Sequence, residues 1–110
     1  MKILIDENLP LKLKESFGKS HEVYTTREMD WQGKQNGELL GLMILDGFEG
    51  FVTMDKNLQN QQNLDKFAIT IFVLRGKNNK LETLQNLVPL VLDEIENGVT
   101  VGVIEIKHKN

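Results

Sequence analysis

Lys2-Ile3-Leu4-Ile5-Asp6-Glu7-Asn8 is an apolar run that stops on two carboxylates, and its reading decides the fold. The run is too short for a helix and suits a strand buried on both faces. Phe51-Val52-Thr53-Met54 ends the same way, on Asp55, and Ala68–Leu74 is a third, almost wholly apolar stretch. Further strand patterns fall at 22–26 and 99–106. Helical spacing fills the intervals. Asn8 and Pro10 suit the start of a helix carrying Leu9, Leu13 and Phe17, with Gly18 as its stop. Asn36 suits the cap of a second helix with Leu39, Leu40, Leu42, Met43 and Leu45. Leu81, Leu84, Leu87, Val88, Val91, Leu92 and Ile95 repeat at helical spacing, with Pro89 kinking or splitting the run. The polar tract 57–63 reads as a short helix or loop.

Strands alternating with helices predict an α/β fold. We expect one domain over 1–110, a three-layer α/β/α sandwich whose mostly parallel sheet has four or five strands and right-handed crossovers. In such a sheet the carboxyl ends of the strands share one edge, where ligands bind. Asp6 and Asp55 then meet at that edge. Clustered carboxylates repel unless a positive charge lies between them, and a hard divalent cation, Mg²⁺ or Mn²⁺, suits oxygen ligands.

Composition narrows the chemistry. The 110 residues carry 13 Lys and Arg against 16 Asp and Glu, a net charge of −3. That balance speaks against a protein that coats nucleic acid, yet it leaves room for a nuclease whose metal supplies the positive charge. The absence of Cys excludes disulfides and thiolate chemistry. No apolar run approaches the roughly 20 residues of a membrane span, and the amino terminus lacks a signal-peptide pattern, so a cytoplasmic location with no membrane partner is expected. Ser16 and Ser20 are outside any nucleophile elbow, and His21 and His108 are far apart in sequence, which disfavours a triad or a zinc site. No glycine-rich phosphate loop follows the first strand.

Each remaining candidate has a plain structural reading beside the functional one. Asp6 and Asp55 are metal ligands, or else turn formers and caps. Glu7 reaches the metal, or it favours the positive end of the first helix from outside. Glu38 points to the same edge, or it is a first-turn acid. Thr53 orients a carboxylate, and Lys56 neutralises a phosphate unless it is merely solvated. Asn8 contacts metal-bound water, or caps. Arg75, with Lys77 and Lys80, contacts a phosphodiester backbone or lies in a solvated loop. Trp31 stacks on a base or covers core.

Residues 1–10, Met-Lys-Ile-Leu-Ile-Asp-Glu-Asn-Leu-Pro, then His21-Glu22-Val23, Asn36-Gly37-Glu38-Leu39-Leu40 and Val52-Thr53-Met54-Asp55-Lys56-Asn57-Leu58 resemble the short bacterial PIN-like proteins of the PIN nuclease superfamily. The resemblance covers nearly the whole chain. It implies a PIN-like sheet of order 3-2-1-4-5. It also implies a Mg²⁺- or Mn²⁺-dependent ribonuclease, similar to the toxin half of a type II toxin–antitoxin module, with RNA as substrate, a cognate antitoxin as partner and a homodimer as assembly. Asp6, Asp55 and Glu38 match the catalytic and metal-binding acids, with Glu7 as a further metal ligand. Asn8, Asn36, Thr53, Lys56, Asn57 and Arg75 are the implied substrate contacts. The chain departs from the pattern at Asn36 and Asn57, where relatives carry acids. Neutral residues there lower the site's charge, so a catalytically degenerate interaction protein is the alternative. The acidic end of the first strand and Asp55 also resemble a response-regulator receiver, against which stand the missing Ser or Thr after the fourth strand and the missing Lys-Pro after the fifth.

Overall fold

The computed structural model describes residues 1–60 and 67–108. Five strands form one all-parallel sheet: β1 (Lys2–Ile5), β2 (Glu22–Thr25), β3 (Gly50–Thr53), β4 (Thr70–Leu74) and β5 (Gly102–Ile106). Between them run a 3-10 helix at Leu11–Phe17, α1 (Asn36–Leu45), a second 3-10 helix at Lys56–Asn60, α2 (Leu81–Gln85) and α3 (Val88–Glu96). None of the helices among the described residues is long and apolar enough to cross a membrane.

The strands alternate their faces, and each face collects its own core. Ile3, Ile5, Val52, Phe72 and Leu74 pack with Leu13, Phe17, Leu84, Leu87 and Val91 on one side. Leu4, Phe51, Ile71 and Val73 pack with Leu39, Leu40, Met43 and Leu58 on the other. Helical segments thus cover both faces, as a parallel sheet requires.

The sheet order is β2-β1-β3-β4-β5, which corrects the order 3-2-1-4-5 implied by the resemblance. Burial supplies the reason. Every residue of β3 is buried, so that strand belongs inside the sheet. Glu22-Val-Tyr-Thr25 alternates exposed or half-buried with buried positions and suits the edge. The segment 27–35 turns irregularly and leads straight into α1, so no second strand is available beyond β2.

Two helices begin differently from expectation. The first is a 3-10 helix starting after Pro10, not an α-helix capped by Asn8, and Leu13 N–H donates to the Pro10 carbonyl at 3.0 Å. Proline disfavours helical backbone in the residue before it, so the helix cannot begin earlier. In α1, Asn36 is the first helical residue and Gln35 holds the cap position without a side-chain bond. Pro89 splits the last helix. It lies in the first turn of α3, where its ring does not have to clash with the carbonyl of Gln85, at the end of α2. Of the tract 57–63, residues up to Asn60 form the second 3-10 helix, and the rest lies outside the described residues.

Candidate functional site

The chain crosses from β2 on one side of β1 to β3 on the other, so the gap between the ends of β1 and β3 is the topological switch point of the sheet. Ile5 pairs with Val52 there, one residue before each chain leaves the ladder toward Asp6 and toward Thr53-Met54-Asp55. Thr53 is fully buried. Its hydroxyl donates to Asp6 Oδ2 at 2.7 Å and accepts the Asp55 N–H at 3.0 Å. One hydroxyl therefore couples both strand-end acids.

Asp6 is half-buried. Burial pushes its carboxyl above the ordinary value, and the neighbouring Glu7 charge adds to the rise. The Thr53 hydroxyl and the backbone N–H groups of Glu7 and Asn8 pull the other way, and desolvation prevails. Asp55 uses Oδ1 to accept the Asn57 N–H at 2.9 Å, which caps the 3-10 helix beginning at Lys56. Its Oδ2 accepts no hydrogen bond from the described residues. Capping and ligation are therefore compatible in this side chain.

Glu7 is exposed, and its Oε1 accepts the Gly33 N–H at 2.9 Å. Gly33 has φ +76°, a left-handed turn that suits glycine, so Glu7 ties the irregular 27–35 segment to the end of β1. Asp6, Glu7, Thr25, Thr26, Arg27 and Gln32, with Leu9 and Leu11, line a small cavity of about 130 Å³ beside the switch point. Arg27 and Gln32 are not among the candidates read from the sequence. Both lie in the irregular stretch that follows β2.

Glu38 is exposed, and its Oε1 stands 3.5 Å from Lys34 Nζ, one helical turn before it. Asn36 lies in the first turn of α1. Lys56 and Asn57 are exposed beside Asp55, and Asn8 is exposed beyond Glu7. Arg75 follows β4 and pairs with Glu105 of β5 at 2.9 Å. Trp31 covers core, its ring 5.8 Å from that of Phe48 at an edge-to-face angle of 65°. Among the described residues, no group of three or more His, Asp or Glu side chains is gathered closely enough to hold a metal ion.

The donor chemistry nevertheless suits Mg²⁺, which keeps several waters and typically takes one or two carboxylates plus substrate phosphate. Asp6 and Asp55 supply two. The raised Asp6 is the group that a cation would favour in its ionised form. Compared with family models, with curated proteins and with solved structures, the chain finds no match in any of the three.

Proposed function

We propose that the chain is a PIN-type ribonuclease that hydrolyses phosphodiester bonds with Mg²⁺ or Mn²⁺ held by Asp6 and Asp55. The observation that carries this reading is the Thr53 hydroxyl shared between the two acids at the switch point. The family assignment rests on the motif residues, because the sheet order is not the one the resemblance implies. In this reading Thr53 fixes the rotamer of Asp6, so its free oxygen is preorganised toward the cation. The Glu7 bond to Gly33 holds one wall of the cavity, and Arg27 at its rim meets the phosphate. Glu7 and Glu38 each keep Oε1 on a protein partner, Gly33 N–H and Lys34 Nζ, so only their second oxygens are offered to the ligand set. What a divalent cation supplies there is Lewis acidity toward the phosphodiester. A cytoplasmic toxin with a cognate antitoxin, assembled as a homodimer, is the biological form of this reading.

Cleavage of a mixed single-stranded RNA pool in Mn²⁺ tests it. Wild type cuts, while Asp6→Asn and Asp55→Asn, both folded, lose about a hundredfold or more, the several kcal/mol that a cation's charge stabilisation provides. Undiminished cleavage by either variant sinks the assignment.

A second reading, a receiver-like signalling domain, is favoured by one observation. The order β2-β1-β3-β4-β5 is that of the flavodoxin-like class, which includes receivers. Lys107 also follows β5, although without the proline. Against it, Arg75 stands after β4 where a receiver needs Ser or Thr. Stable labelling of Asp55 by acetyl phosphate decides for this second reading, and no labelling decides against it.

A further inference from the structure

A cavity larger than the acidic one lies near the functional edge. The loops after β4 and β5 and the α2 segment border an open hollow of about 580 Å³, lined by Arg75, Lys77, Lys80, Lys107 and His108 with a single acid, Glu82. A chain of net charge −3 thus gathers four of its 13 Lys and Arg around one hollow. The ion pairs of the described residues occupy Lys2, Lys14, Lys34 and Arg75, which leaves Lys77, Lys80 and Lys107 without a carboxylate partner among those residues. Arg75 is steadied by Glu105 of the neighbouring strand, its Nη1 donating to Oε1 at 2.9 Å. Volume and charge both suit a phosphate-bearing ligand.

Position identifies the ligand's class. The hollow opens on the same sheet edge as Asp6 and Asp55, because Arg75 and Lys107 directly follow β4 and β5. With neighbouring strands about 4.8 Å apart, β4 lies about 10 Å from β1 and β5 about 15 Å. A single ligand at both places must be long and must carry several anionic groups. We propose that this basic cavity binds the phosphate backbone of the RNA strand whose scissile bond lies at the acidic pair. The inference rests on the reading of the chain as one that acts on RNA. Apart from the imidazole of His108, the lining offers no ring for a base to stack on, and lysines act on phosphate as point charges. The contact therefore reads charge and not sequence.

The test is fluorescence anisotropy with a labelled uridine 12-mer in EDTA, where cation-dependent cleavage cannot occur. Wild type binds, and affinity falls as salt rises. Lys77→Ala/Lys107→Ala weakens binding at least tenfold and lowers the slope of log K against log salt by about 1.4, the single-strand value for two lost phosphate contacts. Lys77→Arg/Lys107→Arg restores both. Lys12→Ala/Lys19→Ala removes the same charge from exposed positions elsewhere and changes affinity less than twofold. Equal losses in the two alanine pairs, or no binding by wild type, overturn the proposal. Competition by uridine monophosphate at the oligonucleotide's own affinity also overturns it, since the ligand is then a free nucleotide. Binding without cleavage in Mn²⁺ keeps this site and removes the nuclease reading.

Discussion

Thr53→Val tests the coupling of the two acids most finely. Valine keeps the shape of threonine, so the fully buried position stays filled and only the hydroxyl is lost. Two bonds go with it, the 2.7 Å donation to Asp6 and the 3.0 Å acceptance from Asp55 N–H. A bond to an ionised group contributes about 1.5–3 kcal/mol and a neutral one about 1 kcal/mol. Asp6 and Asp55 are only half-buried, so water replaces part of each. The net loss is about 2 kcal/mol at neutral pH. For a chain of this length, that lowers the melting temperature by about 8–10 °C. The loss depends on pH, because the hydroxyl bonds an ionised oxygen only above the titration of Asp6. In acid it shrinks to about 1 kcal/mol, the share of the Asp55 N–H. Thr53→Ser keeps the hydroxyl and loses one buried methyl, costing about 1 kcal/mol at every pH. Thermal melts followed by circular dichroism from pH 3 to pH 8 give both curves. A Thr53→Val loss that is the same at all pH values, or at neutral pH no greater than that of Thr53→Ser, refutes the bridge.

Asp6→Asn raises the melting temperature at pH 7. Burial lifts the folded-state pKa of Asp6 above its unfolded value, so the ionised side chain costs stability above the folded pKa. That cost disappears as pH falls through the folded value toward the unfolded one, so the gap between variant and wild type closes in acid. An Asp6→Asn protein less stable than wild type at pH 7 contradicts this. Among the glycines, Gly41→Ala in α1 meets nothing within 4 Å and stabilises by up to about 1 kcal/mol through helix propensity. Gly50→Ala meets Met1 Sδ at 3.1 Å and the Phe72 ring at 3.4 Å, and destabilises by about 1 kcal/mol or more. Urea unfolding of both variants checks the opposite signs.

The strands and the split at Pro89 were legible because apolar run length and a missing N–H are local properties. The meeting of Asp6 and Asp55 at one edge was legible because parallel strands put their carboxyl ends together whatever their order. The order itself was not, since it depends on which strand is buried on both sides. Gly50-Phe-Val-Thr53 and Glu22-Val-Tyr-Thr25 differ there only by the outward positions of Glu22 and Tyr24, a signal easily outweighed by a family pattern. The separate pairing of Glu38 with Lys34 was written in its i, i+4 spacing, a signal that the expected ligand set overshadowed. Arg27 and Gln32 lie in a stretch of turns, where no periodicity tells which side chains face a cavity. The basic hollow joins loops thirty residues apart, a juxtaposition made only by the β4–β5 ladder.

The central claim is that Asp6 and Asp55 hold a divalent cation, and a Mn²⁺ titration read by electron paramagnetic resonance measures it without reference to any substrate. Wild type depletes the free-ion signal with at least one site, while Asp6→Asn and Asp55→Asn each weaken that site tenfold or more. Wild type that leaves the signal undiminished, or variants that bind as wild type does, contradict the account.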